Sequence, residues 1–322
     1  MSDRAYPLKG KRVWVAGHTG MVGSALVRRL ETAGAAVLTV PRRPDLRRQD
    51  EVERFVAEAS PQAVFIAAAT VGGILANDSR PAEFIYDNLA IVGHIIEAAA
   101  RGGVEKLMVL GSSCIYPKLA AQPMVEDGLM TGPLEPTNQW YAVAKIAGVM
   151  LAQAYRRQFD RDFIAVVPTN LYGPGDNFDL AASHVVPAMI RKCHEAKQSG
   201  GPVEIWGSGT PRREFLYVDD AADALVFLME TYSSGEIVNV GGGTDVSIRE
   251  LAEAVGDAVG YRGGFRYAAD KPDGMPLKRL ESSRLLAMGW RPRIDLRDGL
   301  RRTYEWYIDA LGRQTARQER VA

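Results

Sequence analysis

The stretch RVWVAGHTGMVGSALVRRLETAG (residues 12–34) joins a Val-rich run to an amphipathic segment through three glycines. The first run predicts a buried strand, and the helical spacing of the apolar residues after it predicts a helix. Gly17, Gly20 and Gly23 stand at the junction, where a turn that binds a dinucleotide pyrophosphate connects a first strand to a helix. An ordinary tight turn is the alternative, but three glycines in this context favour the dinucleotide site.

Beyond this stretch, short apolar runs keep alternating with amphipathic segments up to residue 173. We predict strands at 36–40, 63–69, 106–113 and from 163 onward, and helices at 50–59, 90–103 and 141–159. This alternation indicates an α/β fold, a Rossmann-type doubly wound parallel sheet with helices on both faces.

After residue 173 the pattern loosens. Residues 214–232 are expected to add one more strand and helix to the first sheet, followed by a strand at 237–242. Two domains are predicted on this basis: a Rossmann domain of residues 1–174 plus about 212–242, and a smaller, discontinuous C-terminal substrate domain of about 175–211 plus 243–322.

The composition restricts the class of partner. The 322 residues are enough for two domains, and Lys plus Arg equals Asp plus Glu at 39 each. The balanced charge gives no indication of nucleic acid, no apolar run is long enough to span a bilayer, and no motif indicates a metal site. Two cysteines cannot form a disulfide framework and the polar N-terminus shows no signal peptide, so we expect a cytoplasmic protein.

The end of the second predicted strand indicates which dinucleotide binds. An NAD site usually has an acidic residue there, whereas the stretch LTVPRRPD offers Arg42 and Arg43. A guanidinium pairs well with a 2′-phosphate, so we predict NADP(H), although two solvated surface arginines are the alternative. The loop residues expected to complete the cofactor site are Thr19, Met21 and Val22.

A tyrosine, a lysine and a serine form a candidate catalytic set. Tyr141 and Lys145 are four residues apart in a predicted helix and therefore share one face. A lysine ammonium beside a tyrosine stabilises the phenolate and lowers a pKa that is about 10 in a free tyrosine. Ser112 ends an earlier strand and is expected to hydrogen-bond the substrate oxygen that Tyr141 contacts.

GHTGMVG, Ser112, YAVAK and REFLYVDD occur in this order in the chain, which resembles the extended short-chain dehydrogenase/reductase family over nearly its whole length. The resemblance implies that Tyr141 is the acid/base at the carbon that receives hydride, with Tyr141 and Lys145 also contacting the cofactor. The implied substrate is a nucleotide-diphosphate sugar that C-terminal segments bind. The helix with Tyr141 and the helix at 90–103 resemble the pair that forms a four-helix interface in this family, which implies a homodimer.

Longer stretches resemble one branch of this family, the bifunctional epimerase–reductases that convert GDP-4-keto-6-deoxy-D-mannose to GDP-L-fucose. These stretches are GSSCIYPK, LEPTNQWYAVAKIAG, PTNLYGPGDNF, SHVVPAMIRK, WGSGTPRREFLYVDD and KPDGMPLKRL. Thr19 and Lys192 depart from that branch, because they stand where arginines are common. The alternatives are an enzyme that acts only at C4, an enzyme that makes GDP-colitose with inversion at C5 only, and a non-catalytic dinucleotide sensor.

The resemblance gives Cys114 and His184 a joint role. A C4 ketone acidifies the protons on C3 and C5, and inversion at either carbon needs groups on opposite sides of the sugar ring. If the strand before Cys114 stays extended, Ser112 and Cys114 face the substrate together, and the charge of Lys145 helps to stabilise the thiolate as a base. His184, in a loop after the sixth predicted strand, matches the family's acid. The plain alternative for Cys114, and our interpretation of Cys193, is a small buried hydrophobe.

Further residues are implied in substrate binding. Arg213 matches the family's diphosphate contact, with Lys278 as a second candidate, since a guanidinium can bind two phosphates. Trp206 is expected either to stack on the guanine or to lie in the core. Asn170 is expected to line the pocket and Lys192 to contact the substrate.

Overall fold

The computed structural model describes residues 5–38, 43–268 and 273–319. Its strands are β1 Arg12–Ala16, β2 Ala36–Val37, β3 Ala63–Ile66, β4 Lys106–Leu110, β5 Asp162–Pro168, β6 Asn170–Tyr172, β7 Val203–Trp206, β8 Arg212–Tyr217, β9 Val238–Val240, β10 Asp245–Ser247, β11 Phe265–Ala268 and β12 Leu277–Lys278. Its α-helices are α1 Met21–Thr32, α2 Gln49–Ala59, α3 Ile74–Ser79, α4 Pro81–Arg101, α5 Gln139–Phe159, α6 Val185–Ser199, α7 Val218–Thr231, α8 Ile248–Val259, α9 Ser283–Ala287 and α10 Leu296–Glu319.

A parallel six-stranded sheet with the order β2–β1–β3–β4–β5–β9 forms the centre of the fold. Side chains alternate between two apolar layers along each strand. On β3, Val64 and Ile66 pack with α2, α4 and α5, whereas Ala63 and Phe65 pack with α1 and α7. Both faces are thus covered, which is why these strands are apolar throughout. The predicted doubly wound parallel sheet is confirmed.

Strand β8 belongs to a second, smaller sheet. It pairs in parallel with β6 and β12 and antiparallel with β10, while β7 and β11 form a separate parallel pair. The prediction that 214–217 extends the first sheet is therefore wrong, and β9 is the strand that does so. The helix that follows, α7, packs on the first sheet as expected. An apolar run reveals that a strand is buried but not which strand it pairs with, so the sequence did not distinguish these cases.

The carboxyl ends of the parallel strands meet at one edge of the first sheet, and this edge positions the site. The strand order reverses between β1 and β3, which is where a doubly wound sheet binds its ligand. Gly17 follows β1, Ala68 lies just after β3, and Ser112 lies just after β4. Among the described residues, no helix has both the length and the apolar character needed to cross a membrane.

Candidate active site

The glycine loop after β1 has the backbone geometry that a dinucleotide pyrophosphate requires. Gly17 adopts φ +91°, and a Cβ there would lie 2.7 Å from the Ala68 backbone nitrogen. A Cβ on Gly23 would lie 2.0 Å from the Gly17 carbonyl oxygen, so α1 approaches the loop this closely only because both residues are glycines. Gly20 precedes α1 and no side chain caps this helix, so its positive end suits an anion. The residues present therefore fit a bound dinucleotide.

A hydrogen bond brings an arginine to this loop. Arg43 donates from Nη1 to the Thr19 hydroxyl at 3.0 Å, and its side chain is otherwise exposed. Thr19 stands where an arginine is common in the branch that this chain resembles. Here its hydroxyl instead binds Arg43, which follows the second strand. Arg42, which was predicted to act beside it, lies outside the described residues.

The loop after β6 lies against the same end of α1. A Cβ at Gly175 would come within 3.4 Å of Met21 Cα, and Met21 and Val22 are half-buried in the first turn of the helix. In the next residue, Asp176, Oδ2 is buried without a hydrogen-bond partner among the described residues, and burial raises the pKa of this carboxyl to about 7. An acid that titrates near neutrality therefore lies close to the cofactor end of the site, and the sequence analysis did not identify it.

Helix α5 holds the tyrosine and the lysine of the catalytic set near the end of β4. Lys145 donates from Nζ to the Leu110 carbonyl oxygen at 2.9 Å, and the same nitrogen lies 5.6 Å from the centre of the Tyr141 ring. The Tyr141 ring also meets Phe84 of α4 edge-on, with 6.5 Å between ring centres. Both Tyr141 and Lys145 keep part of their surface accessible, as residues that contact a ligand must.

The protonation of this pair differs from the prediction. Burial raises the pKa of Tyr141 well above its usual range, and the neighbouring Cys114 thiolate raises it further, so the lysine does not depress it. Burial also lowers the pKa of Lys145 to about 8. Sequence spacing shows that two groups share a helix face, but desolvation depends on the surrounding fold. At neutral pH the phenol is protonated, and it is therefore ready to donate a proton.

The backbone after β4 does not stay extended. Residues Ser113–Ile115 form a short 3₁₀ helix, and Ser112 precedes it with its hydroxyl 3.5 Å from the Cys114 backbone nitrogen. The reasoning from strand alternation is therefore wrong, although Ser112 and Cys114 remain neighbours. The Cys114 side chain is buried, with 7% of the residue exposed.

The electrostatic environment of the Cys114 thiol is mixed. Burial raises its pKa overall, which contradicts the expected net stabilisation of the thiolate. The charge of Lys278 is the largest effect that lowers this pKa, followed by the Ser112 hydroxyl and then by the charge of Lys145. The sequence suggests Lys145 as the cation that stabilises the thiolate. In the structure Lys278, much later in the chain, has the stronger effect on the Cys114 pKa.

His184 lies in the loop just before α6, as predicted. The residue retains an exposed surface, yet surrounding protein lowers its pKa through burial, and the Lys278 charge lowers this pKa further. The preceding Ala182 accepts a hydrogen bond from the Gly73 backbone nitrogen at 2.9 Å, which ties this loop to the segment after β3. His184 and Cys114 are thus on separate elements and both within the field of Lys278.

The predicted substrate contacts on the second sheet have distinct environments. Arg213 on β8 is half-buried, donates from Nη1 to the Met275 carbonyl oxygen at 2.6 Å, and has its pKa lowered by burial. Lys278 on β12 pairs with Arg213 in the strand register. The Asn170 amide donates to the Glu214 carbonyl oxygen at 2.7 Å, so this nitrogen supports the sheet.

Two predicted contacts lie at β7. Trp206 is 56% exposed, which excludes the core alternative and leaves the indole available to stack. Lys192 on α6 donates to the Glu204 carbonyl oxygen at 3.2 Å and is only half-buried. Both side chains are accordingly next to the same strand.

Glu214 was missed by the sequence analysis. Its side chain is fully buried and accepts from the Gly243 and Leu280 backbone nitrogens at 2.8 and 2.9 Å. This carboxylate ties β8 to the loop after β9 and to the residues that follow β12. A glutamate next to two arginines in a surface-like stretch gives no sequence signal of such a role.

No group of three or more His, Cys, Asp or Glu within the described ranges has a geometry that would hold a metal ion. The sequence pattern of the NAD dependent epimerase/dehydratase family matches residues 13–241. A GDP-L-fucose synthase of Sinorhizobium fredii strain NGR234 is 57% identical over 305 residues, covering 94% of this chain and 97% of the relative. The GDP-L-fucose synthase of Escherichia coli K12 is 50% identical, covering 93% and 97%.

A solved structure resembles the fold closely. It is the GDP-L-fucose synthetase of Naegleria fowleri bound to NADP, with a TM-score of 0.88 at 28% identity, covering 97% of this chain and 98% of that one. The similarity thus extends through both sheets and is not confined to the glycine loop. The chain belongs to the NAD-dependent epimerase/dehydratase family, the family of extended short-chain dehydrogenases/reductases that its motifs indicate.

Proposed function

We propose that this protein converts GDP-4-keto-6-deoxy-D-mannose to GDP-L-fucose, by inversion at C3 and C5 followed by NADPH-dependent reduction at C4. The main observation in support is that Cys114 and His184 lie on separate elements within the field of Lys278, beside the catalytic helix α5. An enzyme that acts only at C4 needs neither group, and a dinucleotide sensor needs no acid/base set. The activity named for relatives 50–57% identical to the chain supports the same proposal.

NADP(H) is the proposed cofactor, since the glycine loop fits a dinucleotide and Arg43 lies at its edge. The N-terminus of α1 would hold the pyrophosphate, with Gly17, Gly20 and Gly23 allowing its close approach. Arg43, fixed by Thr19, would pair with the 2′-phosphate. When bound, the reduced cofactor supplies hydride to C4 of the sugar.

Tyr141 is the proposed proton donor of the reduction. Its raised pKa keeps the phenol protonated at neutral pH, so it can give a proton to O4 as the carbonyl becomes a hydroxyl. Ser112 would donate a hydrogen bond to the same oxygen. Lys145, which is charged below about pH 8, would stabilise the phenolate left after the transfer and is held by the Leu110 carbonyl.

Cys114 and His184 are the proposed pair for the two inversions. The Cys114 thiolate removes a proton from C3 or C5, and the electron pair of the broken C–H bond remains on the sugar as an enolate. Tyr141 and Ser112 hydrogen-bond the enolate oxygen. The imidazolium of His184 then protonates the same carbon from the opposite face, which inverts it.

Residues of the second sheet are proposed to hold the nucleotide. Arg213, half-buried and positioned by the Met275 carbonyl, suits the diphosphate, and its partial burial strengthens a charge-assisted contact. The exposed Trp206 suits stacking on the guanine, with Lys192 nearby as a further cation. Asn170 is proposed to line the pocket through its backbone and the remaining atoms of its side chain.

The domain division remains a proposal, with residues 1–174 plus about 212–242 binding NADP(H), and about 175–211 plus 243–322 binding the nucleotide sugar. Within the first unit, β8 pairs in the second sheet, so Arg213 is well placed to contact the substrate. We also propose the cytoplasm as the compartment, in keeping with two free thiols.

We propose a homodimer formed through α4 and α5. These helices pack on each other and present large apolar side chains to solvent, namely Tyr86, Leu89, Trp140, Val143 and Met150. On α5 these residues recur at helical spacing and so form one stripe. A second copy of the same stripe would bury it in a four-helix interface.

The proposed function is tested by incubating the protein with GDP-4-keto-6-deoxymannose and NADPH. Loss of NADPH absorbance is expected together with an NMR spectrum of GDP-L-fucose. A 6-deoxy sugar that is reduced but not inverted would contradict the epimerisation. With the 3-deoxy substrate, efficient conversion to GDP-colitose and a poor reaction with the 3-hydroxy sugar would favour the colitose alternative.

A further inference from the structure

The strand that contains Lys278 is tied to the segment that contains Cys114. Met124 forms an isolated bridge with Leu280, and its backbone nitrogen donates to the Arg279 carbonyl oxygen at 2.8 Å. The Tyr116 hydroxyl donates to Asn239 at 2.6 Å, and the Asn239 amide donates to the carbonyl oxygens of Met124 and Glu281 at 3.0 Å each. These hydrogen bonds hold the segment from Cys114 to Met124 against the segment after β12.

The side chain of Lys278 faces that segment. Leu280, two residues later in an extended stretch, packs in the same apolar cluster as Ile115, Tyr116 and Met124. Side chains two residues apart in extended chain lie on one face, so Lys278 projects on the side of Ile115 and its neighbour Cys114. Lys278 is half-buried, and burial lowers its pKa.

We propose that Lys278 is the cation that activates Cys114 as the epimerisation base, and that it is not primarily a diphosphate contact. This inference rests on the proposed function, because it assigns Cys114 the role of base. The ammonium stabilises the thiolate before proton transfer. In the step itself the C–H bond breaks, the S–H bond forms, the electron pair remains on the sugar as the enolate, and Lys278 keeps its protons.

The charges around this pair favour the assignment. Within the described part of the chain, Lys278, Lys145 and Tyr141 interact electrostatically with Cys114. Among the charges around Lys278, Cys114 has the largest effect and raises its pKa, Arg213 lowers it, and Glu135 raises it by less. His184 faces the same ammonium, whose charge, together with burial, lowers the pKa of this imidazole. Lys278 therefore interacts with both partners of the inversion.

The test is a titration of the Cys114 thiol in the protein without substrate. The ultraviolet absorbance of the thiolate is measured against pH, and the absorbance of Cys114→Ser is subtracted. The subtraction also removes the signal of the buried Cys193, whose pKa is raised to about 12. In Lys278→Met the thiol pKa should rise by about one unit or more, so the thiolate fraction at a fixed pH falls about tenfold. Lys278→Arg should restore most of the shift.

Lys9→Met is the matched control, because it removes a lysine charge from an exposed position that acts on neither cysteine. It should leave the thiol pKa unchanged. GDP binding, measured by calorimetry, should weaken only a few-fold in Lys278→Met. An unchanged thiol pKa in Lys278→Met and Lys278→Gln would overturn the inference. If GDP affinity also fell tenfold or more in these variants, Lys278 would be identified as a diphosphate contact.

The proposed function is tested separately by deuterium exchange at C3 and C5. A raised thiol pKa with no exchange in the wild type would uphold the thiolate–ammonium pair and overturn the proposed epimerisation. Exchange that stays at the wild-type rate in Lys278→Met would overturn the role of Lys278 as activator.

Discussion

Tyr141→Phe removes one oxygen atom from the centre of the proposed reaction and little from the fold. No hydrogen bond contributes to the pKa of Tyr141, so the described structure loses no side-chain hydrogen bond. The edge-on contact with Phe84, 6.5 Å between ring centres, remains available to a phenylalanine. We therefore expect the free energy of unfolding to change by no more than about 1 kcal/mol.

The effect on the reduction should be much larger. Loss of a positioned general acid costs about 10²–10⁴ in rate, or about 2.7–5.4 kcal/mol of barrier. NADPH oxidation is measured with saturating substrate, and the melting temperature and NADPH binding serve as controls. Deuterium exchange at C3 and C5 should persist in part, because Cys114 and Ser112 are intact. A reduction rate within a few-fold of wild type in a folded mutant would show that another group protonates O4.

The remaining predictions concern the cofactor, the acid and the interface. Arg43→Ala should lower kcat/KM for NADPH about tenfold or more and leave kcat/KM for NADH unchanged. Arg48→Ala, at another exposed arginine, should change neither value. Equal losses with both cofactors would show that Arg43 does not bind the 2′-phosphate. His184→Gln should abolish inversion while some deuterium exchange continues through Cys114. The rate of this exchange should rise about tenfold per pH unit below the raised thiol pKa. Formation of inverted product by this variant would show that another acid acts. Val143→Asp should yield a monomer in light scattering, whereas Val125→Asp, at another exposed valine, should not. A wild-type protein that is itself monomeric would contradict the proposed interface.

The sequence predicted the parts of the site that depend on local pattern. The glycine loop, the four-residue spacing of Tyr141 and Lys145, and the loop position of His184 are all present in the structure. Each of these signals is short-range, since a turn needs glycine and a helix face needs a fixed spacing.

What the sequence did not predict depends on long-range packing. The 3₁₀ helix at Ser113–Ile115 replaced an extended strand end, because the chain must turn where the sheet ends. The spacing predicts a lowered pKa for Tyr141, whereas burial and the Cys114 thiolate raise it, and the Lys145 Nζ lies 5.6 Å from the ring centre. Lys278 reaches the Cys114 region only through β12, a strand of two residues that no periodicity reveals.

The proposed role of Cys114 as the base of the epimerisation is tested most directly by deuterium exchange. The protein is incubated in D₂O with GDP-4-keto-6-deoxymannose and NADP⁺, so that no reduction occurs, and deuterium at C3 and C5 is followed by NMR. Wild type should incorporate deuterium at both carbons. Cys114→Ser, nearly isosteric but far less able to form an anion, should exchange far more slowly and, with NADPH, should give an uninverted 6-deoxy sugar. Exchange at the wild-type rate in Cys114→Ser, with inverted product, would show that the thiol is structural and that the base lies elsewhere.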